Sequence, residues 1–193
     1  IKLIFPNDNL EIYADIASDD NRANTRDLLS HWDHTLGYLI GLKKYQSYNR
    51  YKYFFGLEYL TTRISNTFKK DFYRGNQNAV NFYSKTAYDY FTYNGRRIGA
   101  HSGSSSDDII ATIGLNNQNN TIFISFNKER HGIKTMNYPQ IKKEIILTYS
   151  RKLKNNNDIF IRYEYENIQN FAFINNNYSE SKLLWVGYTL SIN

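Results

Sequence analysis

Sixteen residues, Tyr93–Asp108 (YNGRRIGAHSGSSSDD), bring two arginines, a histidine, four serines and two aspartates together with three glycines. Two chemistries suit such a set. Gly95, Gly99 and Gly103 could cradle a phosphate, and His101 beside Ser102, oriented by Asp107 or Asp108, could activate a hydroxyl nucleophile. A phosphate loop needs a Lys-Ser/Thr pair after its glycines and then a helix. Gly99 is instead followed by Ala-His-Ser-Gly and a strand-like run from Asp108, so the cradle fails. The hydrolase remains as a lesser alternative at the rim of a larger structure. His31 and His34, in HWDH, have a spacing that could ligate a metal but lack an evident third ligand. No catalytic residue, metal or cofactor is expected, and the chain is read as a non-enzyme.

The elements that must position these residues are strands. Apolar and polar side chains alternate with period two in LEIYADI (Leu10–Ile16), in HTLGYLIGLK (His34–Lys43) and in YKYFFGLEYLTT (Tyr51–Thr62). The pattern recurs at Asp108–Leu115, Thr121–Lys128, Ile141–Arg151, Asp158–Asn167 and Leu183–Ile192. Several runs span about 9–11 residues, the length with which a tilted strand crosses a bilayer, whereas soluble strands average about 5–6. KLIF (Lys2–Phe5) reads as a strand stub followed by a turn at PNDN (Pro6–Asn9).

Connections alternate too. Long ones (Ala17–Asp33, Arg63–Asp107, Glu129–Gln140, Ile168–Lys182) take turns with short, asparagine-rich ones (Tyr45–Arg50, Asn116–Asn120, Leu153–Asn157). Membrane barrels have this asymmetry, with long outer loops and short periplasmic turns. The expected fold is all-β: an antiparallel transmembrane β-barrel with long extracellular loops. Residues 1–193 would form the C-terminal part of one barrel domain, about eight strands and a stub, because closed bacterial barrels have an even strand count. Within the longest connection, Asn78–Phe91 could hold a short helix.

Composition agrees. Aromatics reach 17%, with 18 tyrosines, a β-favouring palette. The absence of cysteine excludes disulfides and thiolate metal sites. Mean hydropathy is −0.64 and no run is long and apolar enough for a membrane helix. A net charge of +6 attracts anionic partners without choosing among them.

Two sets of candidate functional residues follow. Glu11, Tyr13, Asp15 and Glu58, with Glu144, Arg162, Glu164 and Glu166, fall on the faces opposite the apolar ones and are expected to line a lumen. In the long loops, Trp32, Tyr73, Arg74, Tyr90, Tyr93, Arg96, Arg97, His101 and Asp107 combine aromatic, cationic and polar groups. Aromatic faces stack on sugars, and guanidinium groups bond hydroxyls and carboxylates. The same set could stack nucleobases, but the expected topology places it outside the cell, so nucleic acid is set aside.

Glu11-Ile12-Tyr13-Ala14-Asp15, with Tyr90, Tyr93, Gly95-Arg96-Arg97-Ile98-Gly99 and Asp107, resembles motifs of the capsule assembly Wzi family, over Leu10 to Leu115. The resemblance implies a barrel of about eighteen strands in the outer membrane of a Gram-negative bacterium. It also implies a non-enzymatic surface lectin that holds exported capsular polysaccharide at the cell surface. The expected partners are that polysaccharide and outer-membrane lipids, including lipopolysaccharide, with the protein itself a monomer. A porin-like channel using the charged lumen is the main alternative; a hydrolase at His101 and Ser102 is the lesser one.

Overall fold

The computed structural model describes residues 1–18, 36–63, 69–71, 75–77, 92–93, 96–97, 103, 105–133, 135–153 and 157–190. Nine strands form one antiparallel sheet: β1 (Lys2–Phe5), β2 (Leu10–Ser18), β3 (Leu36–Tyr48), β4 (Tyr51–Thr61), β9 (Asp107–Asn117), β10 (Asn120–His131), β11 (Gln140–Lys152), β12 (Asp158–Gln169) and β13 (Tyr178–Thr189). Each pairs with its neighbour in chain order, so the sheet is a meander. The connection from β4 to β9 carries two small hairpins, β5 (Lys69–Asp71) with β6 (Gly75–Gln77), and β7 (Thr92–Tyr93) with β8 (Arg96–Arg97). Asn78–Phe91, where a helix was expected, lies outside the described residues.

Strands and turns follow the alternation closely. The stub and turn at the start become β1 and a single 3-10 turn, Pro6–Asp8, closed by Asn9 in the left-handed conformation. Asparagine suits that conformation because its short polar side chain tolerates a positive φ. Two short turns are two residues long, and at the second the Asn117 side-chain oxygen accepts from the Asn120 backbone and side-chain N–H groups, both at 3.0 Å. Several strands outrun the alternation: β3 continues to Tyr48 and β10 to His131. Backbone ladders need only N–H and C=O groups, so pairing persists where the side-chain pattern has turned polar.

The register fixes which residues share a face. One row runs Lys2, Tyr13, Gly41, Glu58, Ile110, Asn127, Glu144, Glu166 and Ser181 across all nine strands. This largely polar face contains Glu11, Asp15, Arg162 and Glu164 as well, as the alternation requires. The opposite face is apolar, with rows such as Phe55, Ile113, Ile124, Leu147, Tyr163 and Leu184.

Burial is inverted relative to a water-soluble domain. Ile168 is the single hydrophobic residue classed as buried among the described residues, while Thr62, Ser105, Ser106, Asp107, Asp108, Asn127 and Glu129 are all buried. Ile113 is 62% exposed, Leu184 64% and Val186 70%.

The apolar band also runs obliquely. On β2 it spans Leu10–Ile16, centred at Tyr13, whose row reaches Ser181 on β13. On β13 it spans Leu184–Leu190, centred at Gly187. The offset is a little under one residue per strand; with a rise of ~3.4 Å and a strand spacing of ~4.8 Å, that tilts the band by about 30° to the hydrogen-bond rows.

On the polar face, three aromatic rings lie over directly opposed glycines: Tyr13 over Gly41, Phe123 over Gly114 and Phe160 over Gly187. A Cβ at any of these glycines would enter the ring above it. Gly114→Val is therefore expected to cost about 1–3 kcal/mol by overpacking. Asn116→Val, on the same face at an exposed position, should stay within about 0.5 kcal/mol. Denaturant unfolding of the two variants checks this, and equal costs would contradict the packing argument.

Candidate functional site

The most enclosed polar groups sit where the long connection after β4 returns to the sheet. Thr62 Oγ1 donates to the Gly103 carbonyl and lies 2.9 Å from Ser106 Oγ, which itself donates to Gly103 O at 2.8 Å. The backbone N–H of Thr62 donates to Ser106 O at 2.9 Å, and that of Ile133 to Ser105 O at 3.0 Å. Gly103 has φ +76°, in the region that favours glycine. The serines that close the opening stretch are thus structural: they tie the foot of the connection to β4 and to the turn after β10.

Beside this knot, Asp107 and Arg130 stand directly opposite one another on β9 and β10. Arg130 donates from Nε to Asp107 Oδ1 at 2.7 Å and from its terminal nitrogen to Oδ2, a bidentate pair. Such fork-to-fork pairs combine charge with fixed geometry. On the polar face, Glu129 is a hub. It accepts from Asn127 Nδ2 at 2.7 Å, stands 2.9 Å from His131 Nε2 and 3.4 Å from Lys142 Nζ. Lys142 reaches Glu166 at 3.2 Å and Glu144 at 3.8 Å as well, so one ammonium is shared by three carboxylates. A charge that leaves water needs such partners.

Further along the polar face, Tyr13 Oη donates to Glu58 Oε2 at 2.7 Å across the floor that Gly41 leaves open. Lys43 lies 4.9 Å from the Tyr13 ring centre, and Lys2 pairs with Glu11 at 2.9 Å. Near the short-turn end, Tyr45 and Phe54 meet at 5.1 Å and Phe54 meets Phe123 edge-on at 6.1 Å. With Lys52, Asn116 and Gly114 they line an open groove of about 300 Å³.

Of the residues expected from the sequence, the structure brings Tyr13 and Glu58 into contact and sets Glu11 and Asp15 on the same face. Asp107 is engaged by Arg130. Tyr93 pairs with Arg96, and Thr92 with Arg97, in the β7–β8 hairpin, whose side chains lie outside the described residues. Trp32, Tyr73, Arg74, Tyr90 and His101 also lie outside them. The Glu129–His131–Lys142 cluster and the Tyr45–Phe54–Phe123 row were missed, although alternation carried two residues past Lys43 and three past Lys128 would have placed both on the polar face.

Among the described residues no group of three or more histidine or acidic side chains is arranged to hold a metal. The chain matches no protein-family model, no curated protein and no solved structure.

A double-mutant cycle on Asp107→Ala and Arg130→Ala should show a coupling of about 0.5–3 kcal/mol in unfolding free energy. Additive single-variant effects would mean that the pair does not clamp the loop foot.

Proposed function

We propose that this sheet is part of the wall of an outer-membrane β-barrel whose long connections present a polysaccharide-binding surface. The observation that carries the membrane reading is the inverted polarity: a continuous, oblique apolar band on one face, polar rows on the other. The band is about 20 Å long on each strand and about 34 Å wide between β2 and β13, on the order of 700 Å². The largest apolar patch of a typical soluble monomer is about 300–600 Å². A transmembrane barrel carries an apolar band about 25 Å tall on strands tilted by about 35–45°, and the slant of the band comes close to the lower end of that range.

Hydrocarbon tolerates no open sheet edge. In this reading the outer edges of β1 and β13 therefore pair with further strands, and the sheet is a portion of a larger barrel. The polysaccharide role is supported by the cations and aromatics of the long connections, held at their foot by the Thr62–Ser106 knot, and by the motif resemblance to capsule assembly proteins. Sugar contact would fall to Tyr93, Arg96 and Arg97 with Trp32, Tyr73, Arg74, Tyr90 and His101, and the role needs no catalytic residue. A second reading, a channel, is favoured by the ion-paired polar face around Lys142.

Ile124→Arg, at the middle of the band on β10, should cost about 2–4 kcal/mol of folding stability in bilayers. Ser125→Arg, on the polar face, should cost under about 1 kcal/mol. The reverse order would contradict the membrane assignment. Replacing residues 69–97 by a short Gly-Ser linker should leave barrel assembly intact and abolish capsule retention at the cell surface. Retention that persists would remove the polysaccharide role, and steady ion conductance of the intact protein in planar bilayers would favour the channel.

A further inference from the structure

Lys128 on β10 and Lys143 on β11 are directly opposed in the register, and both are exposed. They point to the apolar face. Directly opposed side chains on neighbouring strands have Cβ atoms about 4.5–5.5 Å apart, and like charges there destabilise the pair. Among the described residues no carboxylate relieves them. The carboxylates on this face of β9–β13 at the long-connection end are Asp107 and Glu180; Asp107 is bound by Arg130, and Glu180 by Lys182 at 2.9 Å. The adjoining connections, residues 132–139 (GIKTMNYP) and 170–177 (NFAFINNN), contain no aspartate or glutamate.

The position of the pair is equally specific. One step toward the short turns, the facing residues are Phe126 and Ile145, and the next are Ile124 and Leu147, all exposed and apolar; Ile113, opposite Ile124 on β9, and Tyr163, opposite Leu147 on β12, are exposed as well. Two cations thus crown the apolar band on the side of the long connections. A ligand that fits both parts has a phosphate for the ammonium groups and acyl chains for Phe126, Ile145, Ile124 and Leu147.

We propose that Lys128 and Lys143 form a binding site for the phosphate of a lipid A-type glycolipid in the leaflet facing the long connections. The site rests on the membrane reading above. The bound phosphate offsets the repulsion between the two lysines and fixes the depth at which the strands sit.

The test uses the intact protein purified in a neutral detergent, with lipid A as probe and native mass spectrometry or fluorescence titration as readout. Wild type should bind lipid A, and Lys128→Gln/Lys143→Gln should bind it at least about tenfold more weakly, as expected for lost charge-assisted contacts. Lys143→Glu should weaken lipid A binding as strongly while raising unfolding stability, because a Lys–Glu pair replaces two like charges. Unchanged affinity in the double variant would overturn the site. Inorganic phosphate competing as well as lipid A would overturn the lipid commitment in favour of a free-anion site. Flotation with phosphatidylcholine vesicles separates this from the parent reading: wild type and double variant should float alike, and failure of both would sink the membrane assignment itself.

Discussion

Everything in this structure depends on the side-chain period of a β-strand being two, held in one register across nine strands. Because directly opposed residues share a face, a single row can run unbroken from Lys2 to Ser181, and its polarity is inherited by the whole sheet. A slip of one residue anywhere would send charges such as Glu144 and Glu166 to the apolar face and isoleucines to the polar one. The sheet is specified by that contrast rather than by a dry core, and little of its apolar surface is covered by its own chain.

The same constraint explains how the polar face is furnished. Polar groups there are placed so that the register brings partners together: the Tyr13 hydroxyl to Glu58, Lys2 to Glu11, Lys142 to three carboxylates. Aromatic rings lie over glycines on the neighbouring strand, where any side chain would collide with Phe123 or Phe160. At the end nearest the long connections the pattern changes from ladder to knot. There Thr62, Gly103 and Ser106 satisfy one another, and the Asp107–Arg130 pair fixes the first residue of β9. The stretch that looks most like a catalytic loop is, over its last residues, an anchor.

Much of the sheet was legible in the sequence because alternation reports the face of each residue directly. The eight long strands and the stub at Lys2–Phe5 follow from it, as does the shared face of Glu11, Asp15, Glu58, Glu144, Arg162, Glu164 and Glu166. Strand ends were less legible: Tyr45–Tyr48 and Glu129–His131 continue a ladder that their side chains no longer advertise. Partnerships were hidden. Asp107 finds Arg130 23 positions away and Tyr13 finds Glu58 45 positions away, and neither distance can be read without the register. The two hairpins of the β4–β9 connection left no alternating signature because each strand has only two or three residues.

The central claim is that the apolar face meets lipid while the polar face meets water. The chain has no cysteine, so single cysteines can be placed along β10 without background. In membrane-embedded protein, a water-soluble maleimide should label Thr121→Cys, Phe123→Cys, Ser125→Cys and Asn127→Cys. Fluorophores at Ile122→Cys, Ile124→Cys and Phe126→Cys should instead be quenched by lipid-borne quenchers. Period-two alternation between the two signals is the predicted result; uniform aqueous labelling with no lipid quenching would contradict it.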